Sequence, residues 1–259
     1  MKIALGIEYC GHEFYGWQAQ ENLPTIQGKL EDALSSIAAG PIKVFCAGRT
    51  DAGVHGTGQV VHFETSVIRE ERAWTIGTNT HLPPSIAVRW MREVDDAFHA
   101  RFSALARRYR YVIYNSSIRP AILSNKVTWQ YYPLDVKLMS AAASHLIGEH
   151  DFTSFRAAQC EAHSPVRTVQ ELTVTRYGDF IMIEIQANAF LHHMVRNIAG
   201  VLMQIGSGFK DPQWVLDVLH AKDRRSAAET ASARGLYLSQ VVYPEQYAFP
   251  QSVNSLLFL

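Results

Sequence analysis

Apolar and polar residues alternate from the first turn of the chain: Ile3, Leu5, Ile7 and Tyr9 are separated by small or polar neighbours, the period of a half-buried strand. Thr25 then stands where a helix cap belongs, and Ile26, Leu30, Leu34 and Ile37 recur at helical spacing up to Gly40-Pro41. The pattern next predicts strands over 42–46 and 59–63, a helix over 70–78, and extended runs over 86–94 and 105–114. After Arg119-Pro120 it predicts a helix over 136–147 stopped by Gly148, and strands over 172–175 and 180–185 joined by the hairpin signal Tyr177-Gly178-Asp179. A long helix over 190–205 ends in Gly206-Ser207-Gly208, Pro212 opens a shorter one through Leu219, and a strand over 236–243 follows. Hairpin signals outnumber long crossovers. The expected class is therefore α+β, two α/β halves with mostly antiparallel sheets, an N-terminal half over 1–114 and a C-terminal half over 115–259.

Composition narrows this only in places. With 259 residues the chain needs no staple to build a core. Three widely spaced cysteines, Cys10, Cys46 and Cys160, make no metal-ligand pair and suit a reducing compartment. The N-terminus is charged too early for a signal sequence, and no apolar run is long enough to span a membrane, so a cytoplasmic protein without a membrane partner is expected. The formal charge is zero, with 12 basic and 12 acidic residues on each side of Val112, so bulk charge names no partner. Locally, Arg101, Arg107, Arg108 and Arg110 fall in an acid-free stretch, and 17 of the 24 basic residues are arginine, the side chain suited to bidentate phosphate contact.

Residues 48–56 place Asp51 in a glycine-punctuated loop just after a strand-like run. Gly48, Ala52 and Gly53 keep this loop narrow enough for a substrate to reach the carboxylate. The other reading is an Asx-turn in which Asp51 caps its own backbone. Arg49, two residues earlier, fits a phosphate contact or an ordinary surface arginine. Tyr109 sits in Arg107-Arg108-Tyr109-Arg110-Tyr111, where alternation sends Arg108 and Arg110 to one face and Arg107, Tyr109 and Tyr111 to the other. A tyrosine there can stack on a base while guanidinium groups hold phosphates, or it can be a core aromatic. Arg196 borders an apolar stripe of Leu191, Val195, Ile198 and Leu202 and shares a helix face with His192, so a buried Arg196 needs a partner. His55, His62, His192 and His193 form no recognised ligand spacing, and neither a phosphate loop nor a dinucleotide fingerprint is present.

The segment Gly48 to His55 resembles the catalytic loop of the bacterial tRNA pseudouridine synthase A family. Six further motifs resemble the same family in the same order: Gly16-Trp17-Gln18-Ala19-Gln20, Gly58-Gln59-Val60-Val61-His62-Phe63, Arg107-Arg108-Tyr109-Arg110-Tyr111, His150-Asp151-Phe152-Thr153-Ser154-Phe155, Phe190 through Asn197, and Gly235-Leu236-Tyr237-Leu238. The resemblance implies the pseudouridine synthase fold, its halves meeting at a positively charged cleft, and an isomerase that converts uridine to pseudouridine at positions 38, 39 and 40 of the tRNA anticodon stem-loop. It also implies a homodimer that needs no metal or organic cofactor. By the same resemblance Asp51 is the essential aspartate, Tyr109 stacks on the target base, Arg196 pairs with the aspartate, and Arg49 holds the flipped-out nucleotide. Arg107, Arg108 and Arg110 are expected to contact the substrate. Cys10, Gly56 and Ser232 depart from the family's usual residues but fall on none of these groups. Two other classes fit parts of the pattern: an inactive RNA-binding module, and a metal-dependent hydrolase using Asp51 with His55 or His62.

Overall fold

The computed structural model describes residues 1–160 and 162–250, and its contacts divide the chain into two units, 1–105 with the segment from Leu238 onward, and 106–237. The first division falls at 105/106, ahead of the 114 expected from sequence, and the chain's last strand returns to the first unit.

In the first unit, strand β1 (Lys2–Tyr9) lies between β3 (His55–Glu64) and β4 (Ile86–Val94), antiparallel to both, with Leu5 opposite Val61 and Met91. Helix α1 (Ile26–Ala38) is capped by the Thr25 side chain, which accepts from the Gly28 N–H, and it buries Ile26, Leu30 and Leu34 against Ile3, Leu5 and Ile7. It stops at Ala39, in the left-handed region at φ 51, one residue before the expected glycine. The strand expected over 42–46 shrinks to β2 (Phe45–Cys46). Its upstream donors are diverted to α1: the Ile42 N–H goes to Ser35 Oγ and the Val44 N–H to Glu31 Oε1, leaving no ladder to extend. The helix expected over 70–78 runs over 71–81, with a wide π turn inside it (Ala73–Gly77) that leads into a short α2 (Thr78–His81), and Trp74 is fully buried.

In the second unit, β5 (Ala106–Asn115) pairs antiparallel with β9 (Phe180–Ala187) and parallel with the short β6 (Thr128–Gln130). Helix α3 (Val136–Ser144) ends before the expected 147, and β7 (Gly148–Asp151) follows, antiparallel to β8 (Val166–Tyr177). Strand β8 is far longer than the predicted 172–175. It meets β9 through Gly178, whose φ of +57 suits the first central position of a primed two-residue turn.

The long helix also differs from expectation. Helix α4 runs Met194–Gly206, because His193 holds φ +63 and so cannot continue a helix from 190. His192 therefore shares no helix face with Arg196, and the His192 and His193 rings lie 4.0 Å apart instead of on different sides of a helix. Helix α5 (Trp214–Ala221) starts two residues after Pro212, and β10 (Leu236–Val242) carries the chain from the second unit back into the first. No helix among the described residues is long and apolar enough to cross a membrane.

Candidate active site

The Asp51 loop is gripped from three directions by groups of its own unit. The Trp17 N–H donates to the Thr50 carbonyl at 2.9 Å, the Tyr9 hydroxyl meets Thr50 Oγ1 at 2.8 Å, and the Val54 N–H closes a turn onto the Asp51 carbonyl at 3.1 Å. Just upstream, buried Gln59 donates from Nε2 to the Gly48 carbonyl at 2.6 Å; just downstream, the Gly11 N–H donates to His55 Nδ1 at 3.1 Å. Asp51 itself is half-buried between the exposed Arg49 and Ala52.

The Gly16-Trp17 motif acquires a physical role here. Its two carbonyls accept the Ile26 and Gln27 N–H groups, satisfying orphan donors at the start of α1, while its other side lies on the Asp51 loop. Gly16 sits at φ +88, and a Cβ there would stand 2.9 Å from the Thr50 carbonyl oxygen, 3.1 Å from the Ala52 nitrogen and 3.2 Å from the Asp51 carbonyl carbon. Only glycine lets the two backbones approach this closely. The helix thus transmits its rigidity through these backbone contacts to the Asp51 loop.

Of the histidines considered as metal ligands, His55 and His62 are each committed through one nitrogen. His55 Nδ1 takes the Gly11 N–H and His62 Nδ1 takes the Ala100 N–H, and both rings are buried. Burial first, then His99 and Lys2, pulls His62 down to about 4, so it is neutral at pH 7.

In the second unit the arginine-rich strand alternates as the sequence implies. Tyr109 is buried, its ring edge-on to Phe190 with centroids 4.9 Å apart. On the opposite face Arg108 reaches Glu171 at 2.7 Å and Gln186, and Arg110 reaches Glu184 at 3.1 Å, a ladder across β5, β9 and β8. Arg107 donates to the Asn188 carbonyl at 3.2 Å. Arg196, in the first turn of α4, donates from Nε to the Ala231 carbonyl at 2.8 Å, and its own carbonyl takes the Ala231 N–H. Next to it Asn197, fully buried, donates to the Phe155 carbonyl at 2.6 Å and accepts from Thr230 and Arg224. One amide thereby joins the His150–Phe155 motif, the Arg196 helix and the segment after α5.

Gln59, Asn197 and Gly16 were not singled out for these tasks from sequence. The available signal was a polar residue set inside an apolar run, Gln59 before Val60-Val61 and Asn197 before Ile198-Ala199. Of the three family departures, Gly56 is the most constrained: a Cβ there would meet the Tyr9 ring at 2.6 Å, so alanine requires that ring to shift.

A family model described as tRNA pseudouridine synthase matches residues 6–103 and 142–244. The protein called tRNA pseudouridine synthase A of Photorhabdus laumondii is 61% identical over 259 residues, covering 100% of this chain and 98% of that protein. Its namesakes in Escherichia coli K12 and Enterobacter sp. 638 are 58% and 57% identical over 258 residues, covering 100% of this chain and 96% of each protein. A solved Cbf5–Nop10–Gar1 complex is similar at 12% identity and a TM-score of 0.37, over 78% of this chain and 45% of that chain, and carries no weight here. The seven ordered motifs, the braced aspartate loop and these full-length matches agree: the chain belongs to the tRNA pseudouridine synthase family.

Proposed function

We propose that this protein isomerises uridine to pseudouridine in tRNA, at positions 38, 39 and 40 of the anticodon stem-loop, acting in the cytoplasm as a homodimer, with Asp51 as the reacting group. The observation that carries the assignment of Asp51 is the investment in its loop. Tyr9, Trp17, Gly16, Gln59 and the Gly11–His55 pair come from separate stretches of chain to fix a backbone of a few residues. A carboxylate that merely caps a turn needs no such frame, whereas one that must meet a reacting atom does.

The target uridine has to leave its stack, at a cost of a few kcal/mol regained in contacts with the protein. Asp51 then acts on the extruded nucleoside, at C6 of the base or at C1′ of the ribose. The N1–C1′ bond breaks, the uracil turns while held, a C5–C1′ bond forms with the Asp51 carboxylate set free, the proton on C5 departs and N1 takes one up. Holding the cleaved base is what makes rejoining faster than loss to water. Tyr109 supplies the ring for the base and Arg196 positive charge in support of the carboxylate. Arg49 serves the displaced nucleotide and Arg107 a phosphate. Arg108 and Arg110 are given a different task from phosphate binding, since their guanidinium groups brace the strands that carry Tyr109. No metal or organic cofactor enters this chemistry.

Purified protein incubated with unmodified tRNA in excess EDTA, with the nucleosides separated after nuclease digestion, tests the reading directly. Pseudouridine is expected from the parent and none from Asp51→Ala or Asp51→Asn, both of which should bind tRNA within several-fold of the parent. Undiminished product from Asp51→Ala would remove the assignment, and loss of the parent's activity in EDTA would favour the metal-dependent hydrolase.

A further inference from the structure

Beside the Asp51 loop, in the same unit, four rings form a continuous ladder that ends in solvent. Phe45 of β2 stacks on His62 of β3, with centroids 5.1 Å apart and planes inclined by 23°. His62 meets His99 at 4.5 Å, and His99 meets Phe102 at 4.4 Å. The inner two rungs are polar side chains turned into neutral rings, since burial depresses both histidines. The outer two are exposed: Phe45 by 51% and Phe102 by 76%.

The turn presenting Phe102 is not loose. His99 Nδ1 accepts the N–H groups of Arg101 and Phe102, Ser103 Oγ accepts the His99 N–H, and the Ser103 N–H returns to the His99 carbonyl. Ala100 is held on both sides, its N–H by His62 and its carbonyl by the Tyr243 hydroxyl at 2.6 Å. A scattered surface phenylalanine is ordinary, but one fixed outward by this many bonds has been given a direction. Positive charge accompanies it. The Arg101 guanidinium lies 5.5 Å from the centre of the Phe102 ring, and Arg101 and Arg49 are both near enough to act on the half-buried Cys46 thiol beside Phe45. Arg49 is two residues from Asp51, so the surface runs from the reactive loop to the ladder without leaving the unit.

We infer that the exposed Phe102 ring, with Arg101 beside it and the ladder to Phe45 behind it, forms a stacking platform for an unpaired base of the RNA substrate. An exposed ring that offers a flat face with a guanidinium alongside matches the chemistry of a nucleotide, base on ring and phosphate on cation. The platform steadies the strand while the neighbouring aspartate loop works on another nucleotide. This rests on the tRNA reading above.

The test measures the dissociation constant for an unmodified tRNA transcript, with pseudouridine formation followed separately in the parent. Stacking lost on alanine substitution is worth about 1–3 kcal/mol per base, so Phe102→Ala should weaken binding by about 5- to 150-fold. Phe102→Tyr should keep it. Phe102→Leu, which retains apolar bulk against His99 and stays informative if the alanine variant unfolds, should weaken it because no π face remains. Ile68→Ala, which trims an 81% exposed side chain elsewhere in the unit, should leave binding as it was. Parent-like binding by Phe102→Ala or Phe102→Leu would overturn the platform. So would a change in sedimentation on Phe102→Ala with RNA binding intact, which would assign the surface to a second copy of the chain. Absence of pseudouridine from the parent would instead sink the functional reading, and the two failures are told apart.

Discussion

Replacing Gly16 by alanine isolates how much the aspartate loop depends on a single close approach. The new methyl group would hold φ +88, a region that costs an L residue about 1–2 kcal/mol. It would also stand 2.9 Å from the Thr50 oxygen, with Ala52 and Asp51 atoms within 3.2 Å. Restoring ordinary contact at 3.4 Å or more requires the loop to retreat by about 0.5 Å. Strain and lost contact together should cost about 2–3 kcal/mol, lowering Tm by roughly 5–10 °C in a chain of this size. A displacement of 1 Å at a reacting group costs about 100-fold, so half of it should lower kcat by about 10-fold, with tRNA affinity nearly unchanged. Gly178→Ala is the matched control: its φ is also positive, at +57, but a Cβ there meets nothing within 4 Å. It should lose about 1 kcal/mol of stability and no kcat. Thermal unfolding and single-turnover pseudouridine formation on both variants decide the matter. Parent-like kcat in Gly16→Ala, or an equal loss of kcat in Gly178→Ala, would refute the bracing argument.

Arg196→Ala should slow the chemical step by at least 10-fold more than it weakens tRNA binding, measured by single turnover against a binding titration; weakened binding alone would contradict its supporting role. Glu184→Gln removes the carboxylate shared by Arg110 and Arg108 and should cost about 2 kcal/mol in urea unfolding, while the slope of tRNA affinity against salt stays as in the parent. Because His62 is held near 4 in the fold against an ordinary 6.5, the unfolded chain takes up its proton first. Its stabilisation is complete above about pH 6.5 and is lost as pH falls toward 4, with a limiting slope of about 1.4 kcal/mol per pH unit. Urea midpoints between pH 7 and 4.5 should fall less steeply in His62→Gln than in the parent.

Much of the architecture was legible because local periodicity and caps agree with what packing requires. Thr25 begins α1, the run over 86–94 is β4 to the residue, and Gly178 turns the β8–β9 hairpin. Misreadings arose where a distant partner took over a local preference. Ser35 and Glu31 take the donors that would have lengthened β2, and His193 adopts the left-handed region and delays α4. The Asp51 loop was visible as a motif, but its frame was not: that Gln59 serves Gly48, or that Gly16 touches Thr50, depends on pairings between residues 11 to 34 positions apart. Alternation gave the two faces of the arginine-rich strand correctly, yet said nothing of the carboxylates on β8 and β9 that occupy Arg108 and Arg110.

Strand β10 brings a temporal consequence. The first unit is finished by residues from Leu238 onward: Ser239 lies against Gly58, Val242 accepts the Leu105 N–H, and Tyr243 secures Ala100. During synthesis the early segment that bears the aspartate must therefore wait, its closing piece not yet made, until the intervening unit has emerged. A ribosome that stalls short of that last strand releases a chain with every proposed reacting residue and no completed seat for the first of them.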